Sequence, residues 1–323
     1  MVAKSIYIFA ALLSFVLCAL SSHILIPKLR RFAKQPIYED GPSWHISKSG
    51  TPTMGGISFL IASTLTLVPC VLYLFRINAS EASSLLCALI FSLLNATIGI
   101  IDDVTKLKRH QNAGLSPKQK LLFQFISVMA YLLLLSRIKE DITVIRVFVK
   151  DIDLGIFYYP LAAIIIVGII NFANLTDGID GLAASVALSV SIGYAIIFGR
   201  YSESVLFISS AIIGITLAFL IFNLHPAKIF MGDTGSLFLG ALLASAAFST
   251  PAPICALVTN AVYIVEGLSV ILQVAVYKSC GKRLFKMAPL HHHFEKCGLS
   301  ENKICLIAVA LTAVASAIAL VLY

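Results

Sequence analysis

Two aspartates, Asp102 and Asp103, stand side by side in "ATIGIIDDVTKLKRH" (96–110), directly after an uncharged run from Ser83 to Ile101. Lys106, Lys108 and Arg109 follow closely. Acids are unfavourable where a helix dipole is already negative, and adjacent like charges repel. At the end of an apolar helix such a pair needs a positive partner, either a lysine or a metal ion. A solvated helix end that merely stops the run is the blander alternative.

Four further stretches carry groups suited to the same chemistry. "NFANLTDGIDGLAA" (171–184) interrupts an apolar region with Asn174, Asp177 and Asp180 at spacing three. In a helical or turn-like segment that spacing puts them on one side. A plain Asp-Gly turn is the simpler reading, and the calcium-loop pattern is absent. Gly232-Asp233-Thr234-Gly235-Ser236 lies just ahead of another apolar run. It lacks the Gly-Lys-Ser/Thr ending of a Walker loop. Thr234 or Ser236 suits a helix cap, while Asp233 suits Mg²⁺ and the backbone N–H groups suit phosphate. "KMAPLHHHFEKCG" (286–298) holds His291, His292 and His293, with Cys280 and Cys297 in the same link. The spacing matches no standard zinc pattern. Imidazoles facing an anionic phosphate or sugar fit better. "HISKSGTPTMGGISF" (45–59) adds Lys48 and small residues able to offer a phosphate-binding backbone.

The elements that position these groups are membrane helices. The 323-residue chain is 59% hydrophobic and 12% charged, with mean hydropathy +0.94. A soluble domain carries about 25% charged residues. The long continuous runs exclude a β-barrel, which shows short alternating segments. Ten apolar segments fall at about 5–26, 55–75, 83–101, 120–136, 159–175, 183–199, 204–222, 234–250, 254–277 and 304–322. The first is read as a retained helix rather than a signal peptide. The seven cysteines suggest no disulfide framework.

The links alternate in charge. One set (28–48, 106–120, 174–181, 223–233, 278–303) holds 17 of the 24 Lys and Arg residues; the other, with Lys4, holds 7. The positive-inside rule makes the first set cytoplasmic and puts both termini outside. The alternating 137–158 link reads as a small β-hairpin on the outer, periplasmic face. The predicted fold is therefore an all-α polytopic membrane protein of one domain (1–323), with about ten transmembrane helices and a cytoplasmic active site. Asp102, Asp103, Asp177, Asp180, Asp233 and the three histidines all fall in the first set. Glu266 and Gln273 lie deeper, in the ninth run. An intramembrane acid is costly, so Glu266 should face the bundle interior with a partner. A structural hydrogen bond and a substrate role both remain open for it.

Carboxylates for Mg²⁺, lysines for phosphate charge and glycine turns on one membrane face favour phosphoryl transfer between a membrane-soluble and a water-soluble reactant. "GTPTMGG", "IDD", "NLTDGIDGL", "FMGDTGS" and "APLHHHFE" together resemble the phospho-N-acetylmuramoyl-pentapeptide transferase family, within the polyprenyl-phosphate N-acetylhexosamine-1-phosphate transferase superfamily. The resemblance implies a homodimer in the bacterial inner membrane. It implies Mg²⁺-dependent transfer of phospho-MurNAc-pentapeptide from UDP-MurNAc-pentapeptide to undecaprenyl phosphate, giving lipid I and UMP. It makes Asp102, Asp103, Asp233 and His291 catalytic, with Asp233 and Asp102 the metal ligands. Asp102 is the base or nucleophile, or else positions the lipid phosphate. Lys48, Gly178, Ile179, Asp180 and Phe230 match the uridine pocket, with Phe230 stacking on uracil. Thr53, Asn174, Asp177 and His292 line the adjoining ribose and phosphate region, and Lys106 and Lys118 resemble the charged loop that meets phosphates. Asn223, Ser236, Gln273 and His293 complete the expected substrate contacts. Two rivals stand: a related transferase using UDP-N-acetylglucosamine, and an ion-coupled transporter, which expects acids along a midplane path.

Overall fold

The computed structural model describes residues 4–33, 48, 50–109, 114–147 and 150–323. Of the "HISKSGTPTMGGISF" stretch, 45–47 and 49 lie outside the described residues. Twelve α-helices and one two-stranded sheet are described, in the order α1 (Lys4–Phe32), α2 (Ile57–Leu74), α3 (Ala79–Arg109), α4 (Pro117–Ile138), β1 (Val144–Val147), β2 (Lys150–Asp153), α5 (Tyr158–Thr176), α6 (Leu182–Phe198), α7 (Glu203–Asn223), α8 (Gly232–Phe248), α9 (Pro253–Thr259), α10 (Ala261–Cys280), α11 (Leu290–Lys296) and α12 (Glu301–Leu322), with a single 3-10 turn (Gly155–Phe157) leading into α5.

Eight of these are long and apolar enough to cross a membrane, namely α1 to α5, α7, α10 and α12; α6 and α8 are apolar but shorter. Their outward faces are greasy. On α1, Ile8, Leu12, Val16, Leu20 and Ile24 recur every fourth residue and all are exposed. Helical periodicity puts them in one stripe, which suits lipid. α8 is the opposite case, buried from Thr234 to Phe248. Its small residues (Gly235, Ser236, Gly240, Ala241, Ala244) let neighbours approach closely, the usual device where helices pack without water. α8 packs along α3 and α5. At Gly99 of α3 an added Cβ would lie 2.3 Å from the Asp233 carbonyl oxygen, so this contact requires glycine.

The two sets of links gather at opposite ends. In one, Glu81 pairs with Lys139 at 3.1 Å and accepts from Ser202, while Lys139 donates to the Ser249 carbonyl. The predicted hairpin is present there. β1 and β2 are antiparallel, with Arg146 opposite Asp151 and their side chains 2.9 Å apart. The Arg146 N–H ties the hairpin to the Pro251 carbonyl. The other end holds the acids and lysines.

Two boundaries differ from expectation. The ninth apolar run is two helices, α9 and α10, meeting at Asn260. Asn260 donates to the Ala256 carbonyl and to the Tyr194 hydroxyl, a polar anchor that hydropathy does not register. Asp102 and Asp103 do not end their helix either, because α3 runs on to Arg109. Lys106 and Lys108 in the last turns complement the dipole and prolong the helix past the acids.

Candidate active site

Asp233, in the first turn of α8, is where three other helices meet. Its Oδ1 accepts from Asn174 Nδ2 of α5 at 2.8 Å. Its Oδ2 lies 2.7 Å from Lys120 Nζ of α4 and 3.1 Å from Lys106 Nζ of α3. Lys106 also pairs with Asp102 Oδ2 at 2.6 Å, one turn back on α3. The other Asp102 oxygen accepts the Leu115 N–H just ahead of α4. Asn174 donates in addition to Ser236 Oγ at 2.8 Å. Each placement has a local cause. Ser116 and Gln119 form a capping box with Pro117 at the first helical position. This fixes where α4 starts, and so the face on which Lys120 emerges.

Asp103 has a different task. Its carboxylate accepts the N–H groups of Asp233 and Thr234, at 3.2 and 3.0 Å, and the Thr234 hydroxyl at 2.7 Å. The α8 N-terminus has no side-chain cap of its own. Asp103 supplies it from α3, placing negative charge against the positive end of the dipole. The adjacent carboxylates thus divide the work: Asp102 faces the lysines and Asp103 locks α8 in place.

A second polar cluster sits on the 177–181 turn. Lys48 Nζ lies 2.7 Å from both Asp180 Oδ1 and Glu301 Oε2. Glu301 also accepts the Asp180 N–H. His225 Nδ1 and the Ala227 N–H reach Asp180 Oδ2, each at 3.0 Å. Asn223 accepts the Gly181 N–H and donates to the Ile229 carbonyl, pinning the 178–181 turn to the chain that leads into α8. Ile179 is buried. Half-buried Phe230 is held by its backbone: its N–H donates to Pro52 and its carbonyl accepts from Gly55. Thr53 is buried alongside, near Gly232. Asp177 lies between the two clusters. Burial pushes its carboxyl well above the usual carboxylate range, and Asp233, Asp103 and Asp180 push it further.

The histidines have three different partners. His291 is buried, with Nδ1 3.1 Å from Glu266 of α10. His292 Nδ1 meets Glu295 at 2.6 Å. His293 Nδ1 accepts the Lys286 N–H, and its Nε2 is 3.8 Å from Cys297 Sγ. Gln273 spends its amide on backbone, accepting from Leu284 and Phe285 and donating to the Phe285 carbonyl. Lys118 is exposed in the first turn of α4, while Lys120, two residues on, is the lysine in the cluster.

Sequence reasoning missed Lys120, Glu301 and His225. Glu301 carried a usable signal, an acid in the first turn of a helix after Ser300. Among the described residues two groups bring three metal-capable atoms within 4.8 Å of one another, Asp102–Asp103–Asp233 and Asp180–His225–Glu301. Neither contains a cysteine. The first offers carboxylate oxygens only, the donor set of a hard cation such as Mg²⁺. Its countercharges today are lysine ammoniums, which equally suit phosphate oxygens.

Fold and site together define a class: a helical membrane protein with a cluster of acids and lysines at one end of the bundle. Comparison narrows the class. The model of glycosyl transferase family 4 matches residues 85–250, and phospho-N-acetylmuramoyl-pentapeptide-transferase signature 1 matches residues 48–60. A phospho-N-acetylmuramoyl-pentapeptide-transferase of Caldanaerobacter subterraneus is 42% identical over 304 residues, covering 92% of each chain. Those of Halalkalibacterium halodurans and Bacillus subtilis are 41% and 40% identical, over 93% of this chain and 92% and 93% of theirs. The chain belongs to the phospho-N-acetylmuramoyl-pentapeptide-transferase family.

Proposed function

We propose that this chain transfers phospho-MurNAc-pentapeptide from UDP-MurNAc-pentapeptide to undecaprenyl phosphate, forming lipid I and UMP for peptidoglycan synthesis. The observation that carries the reading is the convergence of Asp102, Lys106, Lys120 and Asn174 around Asp233. In the reaction a lipid phosphate oxygen bonds to the β-phosphorus of the nucleotide sugar. The bond from that phosphorus to the bridging oxygen breaks, and the bridging oxygen leaves with UMP. Such transfers depend on positioning and charge neutralisation more than on covalent chemistry.

The residues divide these tasks. Lys106 and Lys120 neutralise phosphate oxygens. Asn174 and Ser236 orient Asp233. Asp102 positions the incoming lipid phosphate, which is already ionised at neutral pH and needs little help from a base. Lys48, Gly178, Ile179 and Asp180 form the uridine pocket, with Phe230 as the stacking face and Thr53 and Asn223 holding its walls. Asp177, Gln273, His292 and His293 line the path of the diphosphate and sugar, and Lys118 draws anionic substrate inward from the surface. Asp102 and Asp233 would hold Mg²⁺, with Asp103 kept at the α8 N-terminus. Bound there, the ion neutralises diphosphate charge as a Lewis acid.

All ten apolar runs span the inner membrane in this reading, with both termini outside, the hairpin periplasmic and the acid cluster cytoplasmic. The 323 residues form one domain and work as a homodimer. The test is turnover by purified protein with undecaprenyl phosphate, Mg²⁺ and either UDP-MurNAc-pentapeptide or UDP-N-acetylglucosamine, scored by UMP. UMP from the first nucleotide alone is expected. UMP from the second alone would reassign the substrate, and ion flux without UMP would replace the enzyme with a transporter.

A further inference from the structure

Glu266 is a buried acid in the apolar α10. Its Oε2 accepts from two atoms of one residue, the His291 N–H at 3.2 Å and His291 Nδ1 at 3.1 Å. A carboxylate beside Nδ1 fixes a proton on that nitrogen. The opposite nitrogen is then the one left to bind something else, the second-partner logic by which ring orientation and tautomer are set. Here that nitrogen is distinctive. His291 is 0% exposed, and its Nε2 has no hydrogen-bond partner. Buried polar atoms are nearly always paired, so an orphan needs an explanation.

The direction of Nε2 supplies one. A Cβ built on Gly178 would sit 2.2 Å from His291 Nε2, with the ring carbons Cε1 and Cδ2 at 2.9 and 3.2 Å. The ring edge therefore points at Gly178, in the turn between Asp177 and Asp180. His293 is set the other way round. Its Nδ1 accepts the Lys286 N–H, so in the neutral ring its proton lies on Nε2. Neighbouring histidines of one run are thus held in opposite tautomers by different partners.

We propose that Glu266 is a positioning residue: it holds His291 with Nδ1 as donor, so that Nε2 is presented past Gly178 to a β-phosphate or sugar oxygen of the bound nucleotide-sugar, an oxygen that UMP lacks. The assignment rests on the reading of the 177–180 turn as substrate pocket. Glu266 touches no substrate in this scheme and acts only through the ring. It also explains why an acid is kept inside an apolar helix where leucine would pack at lower cost.

The test compares full-length wild type with Glu266→Gln and Glu266→Leu. Kinetics are followed by UMP release, UMP affinity is measured separately, and the His291 tautomer is read by ¹⁵N NMR of histidine-labelled protein. Glutamine keeps an acceptor oxygen for Nδ1–H. Glu266→Gln should keep the tautomer and lose less than about fivefold in kcat. Glu266→Leu should lose the tautomer and at least tenfold in kcat, with UMP affinity within twofold of wild type. A structural role alone would lower thermal stability and damage both variants alike. Wild-type kcat in a folded Glu266→Leu would overturn the proposal, as would equal damage in the two variants. Should Glu266→Leu fail to fold, the tautomer in wild type decides: a proton on Nε2 with Nδ1 bare refutes it. Absence of UMP release from wild type would defeat the functional reading instead, and the NMR signal would still report on the pair.

Discussion

Lys120→Met is the perturbation the site geometry defines most sharply. Lys120 Nζ is 2.7 Å from Asp233 Oδ2, and the two side chains are 15% and 14% exposed. Breaking a fully buried pair costs about 3–5 kcal/mol, whereas an exposed pair contributes about 0–1 kcal/mol. This pair lies between those limits, and Lys106 stays 3.1 Å from the same oxygen. The expected loss is about 2 kcal/mol. If Lys120 neutralises phosphate charge in the transition state, that loss falls on kcat as roughly 30-fold. The assay is UMP release at saturating nucleotide sugar, with thermal unfolding in the same detergent as control. Lys118 provides the contrast. It is exposed, and its attraction for an anionic substrate acts through solvent, so Lys118→Met should raise KM by roughly twofold and spare kcat. A folded Lys120→Met with kcat near wild type would refute the placement of Lys120 at the reacting phosphates.

Three more outcomes follow from the same geometry. Asp103→Asn removes the charge that caps α8 from α3, and should lower stability by about 1–2 kcal/mol as well as activity; unchanged thermal unfolding would refute the capping role. Glu301→Gln should loosen Lys48 and the Asp180 backbone and weaken UMP binding by roughly tenfold, the scale of one charge-assisted hydrogen bond, while kcat changes little; calorimetry with UMP checks it. Phe230→Ala should weaken nucleotide binding by about 1–3 kcal/mol if its ring stacks on uracil, and unchanged affinity would remove that contact.

Hydropathy alone made the long helices legible, and the alternation of link charge separated the links that meet around Glu81 and Lys139 from those that meet around Asp233. The hairpin was legible from alternation between residues 137 and 158. Asp102 and Asp233 stood out because charge is rare in this chain. The division of labour between Asp102 and Asp103 was not legible, since it depends on α3 and α8 touching at Gly99 and Asp103. Helix phase explains the choice between Lys118 and Lys120: two residues turn the side chain about 200° around the axis, and the capping box decides which one faces inward. His225 was hidden because its partner Asp180 is distant in sequence, and Glu301, though marked as a first-turn acid, gave no hint of its distant partner Lys48. The break at Asn260 was masked by the apolar residues on either side of it.

The central claim is that the carboxylate of Asp233, with its lysines and Asp102, forms the centre of phosphoryl transfer. The most direct measurement is UMP release and lipid-linked product formation by wild type and Asp233→Asn at matched Mg²⁺, with a chelator control. Wild type should yield UMP and lipid product in equal amounts, and both should vanish with the chelator and with Asp233→Asn while the protein stays folded. Turnover by Asp233→Asn at the wild-type rate would contradict it.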